Sequence, residues 1–150
     1  MRVLLPVDGS EGALAAVRHA LRLVHSGLRA SFVLANVQEP ASLYEVVVAH
    51  DAQVIEDVST AAAVHSLEAA QGLLRMSDVE FESEIALGDP GHTLIDIAER
   101  FECDLIVMGA HGVGAALHGT HFGSVANALL RAASVPVTIV RGETADQPRG

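Results

Sequence analysis

The chain has 150 residues and a mass of 15.6 kDa; half of it is hydrophobic, only 3% is aromatic and there is no Trp, which predicts one domain with an aliphatic core. All nine basic residues are Arg, against 19 acids, for a net charge of -10. That balance repels polyphosphate backbones and anionic membrane surfaces, and the aromatics that single strands stack on are scarce, so nucleic-acid and membrane binding are excluded as general functions.

The single cysteine, Cys103, rules out an internal disulfide framework. No apolar run reaches the ~20 residues of a spanning helix, and the apolar stretch 3–7 is too short for a signal peptide. The expectation is a cytoplasmic protein in a reducing compartment.

Residues 2–7 are a short apolar run rich in strand formers, ending in the turn and helix-cap chemistry of Asp8-Gly9-Ser10. From Glu11 to about Ser26 the apolar residues Leu14, Val17, Leu21 and Val24 recur at helical spacing, and Gly27 is a stop. A second strand covers 30–38 and ends at Glu39-Pro40. Tyr44–Val48 is ambiguous between helix and strand. From about Asp51 to Met76 the positions Val54, Val58, Ala62, Leu67, Ala70 and Leu74 predict one long amphipathic helix. Over 79–87 apolar residues alternate with Glu80, Glu82 and Glu84, a strand with one wet acidic face that belongs at a sheet edge. Asp89-Pro90 starts a helix that runs to about Glu102. Residues 104–109 are continuously apolar after the Asp and read as a central strand. A Gly- and His-rich loop follows to about Phe122, then a helix over 124–133 and a last strand over 136–141. Residues 143–150 form a polar tail beyond a domain of residues 1–142.

This alternation predicts an α/β fold: a single doubly wound, Rossmann-like, five-stranded parallel sheet with helices on both faces. Placing the acidic third strand at an edge favours the order 3-2-1-4-5. Ligands of such sheets bind beyond the strand carboxyl ends where the order reverses. The loops at Asp8-Gly9-Ser10 and at Gly109 meet there.

The second of those loops holds five glycines from Gly109 to Gly123 before a helix N-terminus at Gly123-Ser124. Glycines let main-chain N–H groups approach an anion, so phosphate binding is the functional reading; the alternative is glycine used only for turns. The spacing from Gly114 to Gly119-Thr120 is that of a Walker A loop without its Lys. No dinucleotide fingerprint follows the first strand, and no G-x-S-x-G elbow occurs. Asp8 could bond a sugar hydroxyl or base amine, stand behind a metal, or cap the helix at Glu11. His111, His118 and His121 are better read as polar donors near phosphate than as a metal site, which needs converging ligands. Cys103 reads as an inert buried residue.

With these residues the chain resembles the universal stress proteins over nearly its whole length. The resemblance rests on Val3-Leu4-Leu5-Pro6-Val7-Asp8-Gly9-Ser10, on Gly88-Asp89-Pro90-Gly91, on the run from Cys103 to Gly112, and on Gly123-Ser124-Val125-Ala126 with the strand from Val135 to Val140. ATP-binding members are similar to G-x2-G-x9-G-[ST] after the fourth strand. Gly109, Gly112 and Gly123-Ser124 match, but ten residues, Val113 to Phe122, stand where the pattern has nine. The resemblance implies an adenosine site at Pro6, Asp8 and the main chain of Val37. It implies Met108 and Gly109 beside ribose and phosphates, and Gly112, Gly123, Ser124 and Val125 around the phosphates. Mg2+ accompanies such phosphates, with no protein ligand assigned to it.

The expected function is therefore an ATP-binding stress-response or signalling module with slow or no hydrolysis. The alternative is a nucleotide-free dimeric scaffold, favoured by the longer loop. An ATPase or phosphotransferase has the least support, since no Lys, arginine finger or general base stands near the loop. The resemblance and the uncharged last strand imply a homodimer through that strand.

Overall fold

The structure is a computed structural model that describes residues 1–39, 52–111 and 123–142, with the main chain alone at 52–60 and 62. The elements are β1 (Arg2–Pro6), α1 (Glu11–His25), β2 (Ser31–Gln38), α2 (Ala52–Met76), β3 (Phe81–Leu87), α3 (Pro90–Arg100), β4 (Leu105–Gly109), α4 (Ser124–Ala132) and β5 (Val137–Val140). Every expected element on the described residues is found, with ends shifted by at most two residues. The ambiguous stretch Tyr44–Val48, most of the glycine loop and the polar tail lie outside the described residues.

All five strands are parallel, in the order β3-β2-β1-β4-β5. The period-2 alternation of strands sorts the core into two layers. Val3, Leu5, Phe32, Leu34 and Val107 face α1 and α2. Leu4, Val33, Ala35, Ile106 and Met108 face α3 and α4. Helix α1 turns Ala13, Ala16, Val17, Ala20 and Leu21 to the sheet, so its inner face is mostly alanine, while the expected Leu14 and Val24 flank it half-buried. Among the described residues no helix is long and apolar enough to cross a membrane.

Three helices end alike. After α1, Gly27 has φ 117°, its N–H donates to Val24 at 3.0 Å, and the Leu28 N–H donates to Leu23 at 2.9 Å. After α2 and α3 the same pair of bonds forms around Asp78 (φ 54°) and Glu102 (φ 53°). These are Schellman closures, which satisfy the last helical carbonyls with one left-handed residue. The left-handed turn at Glu102 is why α3 stops at Arg100 rather than at Glu102.

The acidic strand β3 is an edge, as its sequence requires, but its acidic face is not merely wet. Glu82 pairs with Arg2, whose side chain crosses β2 from β1, and Glu84 lies 3.8 Å from Arg100. Both guanidinium groups lie over the Phe101 ring, at 5.7 and 5.8 Å. The pairing of β1 with β2 spans five residues, that of β1 with β4 only two, Val3 with Leu105 and Leu4 with Ile106. Beyond those pairs the carboxyl halves of β1 and β4 are free to bound an opening.

Candidate functional site

That opening is a crevice of about 480 Å³ at the carboxyl ends of β1, β2 and β4, within the size range of small-molecule sites and at the switch point of the strand order. Of the nine residues assigned from the sequence, eight line it: Pro6 and Asp8 after β1, Val37 on β2, Met108 and Gly109 on β4, and Gly123, Ser124 and Val125 at the start of α4. The ninth, Gly112, lies outside the described residues, as do His118 and His121. His111 lines the crevice.

Each residue is placed by local chemistry. Asp8 accepts the Ser10 N–H on Oδ1 at 3.0 Å, which closes the turn after β1. Ser10 is the cap of α1: its Oγ accepts the Ala13 N–H at 3.1 Å. The reading of Asp8 as that cap is therefore corrected. Residue 10 sits one step before Glu11, where its short side chain reaches the N3 amide, and residue 8 is too far back. Gly109 ends β4 against the first turn of α1. A Cβ there would lie 2.7 Å from the Gly12 carbonyl carbon, and a Cβ on Gly12 would lie 2.8 Å from the His111 carbonyl oxygen. The two bare backbones thus let α1 sit on the end of β4.

Three helix N-termini border the crevice, and their caps differ. Ser10 caps α1, and Asp89 caps α3 by accepting the His92 N–H at 3.0 Å, with Pro90 removing a further donor. The cap of α4 is Gly123, with φ -64° and no side-chain cap. Its own N–H donates to the Ala110 carbonyl at 2.8 Å, which ties α4 to the end of β4. The start of α4, Gly123 to Val125, thus lines the crevice with no side-chain cap, and the N-terminal end of a helix carries the positive end of its dipole. Asp8 and Glu39 are the acids of the lining, and no Arg belongs to it among the described residues. Among the described residues no group of three or more His, Cys, Asp or Glu is placed to hold a metal ion.

Asn36 was not singled out from the sequence, yet it lines the crevice and is the buried polar residue among the described residues, 1% exposed. Its Nδ2 donates to the Val7 carbonyl at 2.8 Å, and its Oδ1 accepts from Gln38 Nε2 at 2.6 Å. The signal was available: an amide interrupting the apolar run from Phe32 to Val37 at the carboxyl end of a strand. Cys103 is buried away from the crevice, and burial pushes its thiol up from 9.0 although Arg2 pulls it down.

The model of the universal stress protein family matches residues 1–141. The chain is 27% identical to the universal stress protein UspA of Lactobacillus plantarum, with a TM-score of 0.76 over 94% of this chain and 97% of that one. It shares 23% identity and a TM-score of 0.64 with a universal stress protein solved in complex with cAMP, covering 95% of this chain and 98% of the other. With an Arabidopsis thaliana family member solved with AMP bound, it shares 18% identity and a TM-score of 0.67, over 99% and 96% of the two chains.

Proposed function

The chain belongs to the universal stress protein family, and we propose that it is an ATP-binding member, a stress-response or signalling module that holds an adenine nucleotide in the crevice between β1 and β4. The observation that carries this reading is the start of α4, whose first-turn N–H groups lack a side-chain cap and open on the same crevice as Asp8 and Val37. Phosphates at α4 leave the nucleoside to the β1 and β2 side. There the main chain of Val37 offers a donor for adenine N1 and an acceptor for its N6 amine, an order that guanine, with its O6 acceptor and N1–H donor, reverses. The relatives solved with AMP and with cAMP carry adenine ligands and support that choice of base.

The choice of ATP is supported by the likeness of the glycine pattern to that of the family's ATP-binding members, with Gly112 assigned to the phosphates alongside Gly123, Ser124 and Val125. Mg2+ is compatible with this site as an ion carried on the phosphates and water, since three side chains do not converge on one point among the described residues. It would supply countercharge to the phosphates. The chain has no Lys, and phosphoryl transfer normally needs such a cation on the moving charge. Hydrolysis is therefore slow or absent in this reading.

The rest of the reading is a domain over residues 1–142, a cytoplasmic location and a homodimer through β5. A nucleotide-free dimeric scaffold is the second reading, favoured by the ten-residue spacer from Val113 to Phe122. Chromatography of the supernatant after acid denaturation of the purified protein separates the two. An adenine nucleotide in proportion to protein is the expected result; none released, and none taken up from added ATP, is the result for a scaffold.

A further inference from the structure

We propose that Asn36 is a positioning residue of the nucleotide site, and that its side-chain amide ends the β1–β2 ladder so that the main chain of Val37 faces the ligand. The inference rests on the nucleotide reading above and concerns how the base is recognised. In a parallel ladder a residue donates and accepts on the same side. Ala35 faces β1, since its carbonyl accepts the Val7 N–H at 2.8 Å. Val37, two residues on, faces the same way, and one more rung would join its N–H to the Val7 carbonyl. That rung is not made. The Val7 carbonyl accepts Asn36 Nδ2 instead, at 2.8 Å, and among the described residues no main-chain group takes the Val37 N–H.

An amide buried at 1% exposure in a layer of Val7, Leu34 and Leu67 has to be bonded or it destabilises the core. A leucine would fill the same space without that requirement. The amide is held at both ends, by Val7 and by Gln38, so its orientation is fixed. It satisfies the carbonyl of Val7, one residue past β1, from the side, and among the described residues the Val37 N–H at the crevice wall takes no main-chain partner. Replacing the amide frees the Val7 carbonyl to capture the Val37 N–H and close the ladder by one rung.

The test compares AMP, GMP and inorganic triphosphate by calorimetric titration of the full chain, wild type against Asn36→Leu and Gln38→Met. Gln38 is the outer, partly exposed member of the pair, so its variant keeps the fold if Asn36→Leu does not. The expected result is a loss of AMP affinity of about tenfold or more in Asn36→Leu, a smaller loss in Gln38→Met, and a collapse of the preference for AMP over GMP. Triphosphate affinity stays unchanged, because α4 is untouched. The Val37 amide, followed by hydrogen exchange, becomes protected in Asn36→Leu. A variant that melts earlier yet keeps AMP affinity and base preference overturns the inference and leaves the nucleotide reading standing. A wild type that binds no adenine nucleotide overturns the nucleotide reading, and the inference with it.

Discussion

Ser10 defines what the loss of Asp8 should do. The Asp8 carboxylate closes the turn to Ser10, while the helix cap is carried by Ser10 itself. Asp8→Ala should therefore leave the melting temperature nearly unchanged without ligand and weaken ATP binding by about 1–3 kcal/mol, the loss of a charged hydrogen bond. Melts with and without ATP measure both quantities together. Gly123 stands at an ordinary backbone conformation, φ -64°, so a side chain there is not opposed by the chain itself. Gly123→Val should fold, and should lose nucleotide binding because its branches fill the anion position; normal binding by this variant would move the cradle elsewhere. Cys103 gives the pH behaviour. Burial raises its pKa above 9.0, so the folded state keeps a proton that the unfolded state releases. Its contribution to stability is complete below about pH 9 and declines above it, and thiol reagents should label it slowly in the native protein at neutral pH.

The elements were readable because local and long-range demands agree. The Asp89-Pro90 start, the alternation of β3 and the apolar run of β4 each state one structure in both propensity and pattern. What escaped was chemistry that depends on a partner far along the chain. Glu102 holds the left-handed position of a closure usually given to Gly, so only the fold reveals it as the end of α3. Asn36 reads as a fault in an apolar strand until the Val7 carbonyl is beside it. Gly12 and Gly109 matter for a contact across 97 positions, 109 less 12, that no local pattern records. These sites give opposite expectations for glycine. Glu102→Gly should raise stability by about 1 kcal/mol by relieving φ 53°. Gly72, inside α2 with nothing within 4 Å of an added Cβ, should gain roughly 0.5–1 kcal/mol on replacement by Ala. Denaturant melts of the two variants check both signs.

At the scale of the molecule, the two sheet edges are treated differently. β3 carries Glu82 and Glu84 and is paired to Arg2 and Arg100, which blunts it against further strand addition. β5 carries no charge from Val137 to Val140, and all four residues are half-buried. The ladder to β4 uses the carbonyls of Pro136 and Val140, so Thr138 turns its N–H inward and Ile139 turns its N–H outward. If the homodimer forms through this edge, Ile139→Pro should give monomers with the fold intact. Thr138→Pro should instead lose a rung to β4 and destabilise the chain itself. Sedimentation of the two variants separates edge pairing from loss of fold, and a wild type that sediments at 15.6 kDa at micromolar concentration would count against the dimer.

The nucleotide reading joins these scales, since it needs Asp8, the end of β2 and the start of α4 to act on one ligand. Its most direct test is a calorimetric titration of the purified protein with ATP in the presence of Mg2+, with GTP as comparator. Saturable binding of one ATP per chain and much weaker binding of GTP are expected. Heats no larger than dilution for ATP, or equal affinity for the two nucleotides, would contradict that reading.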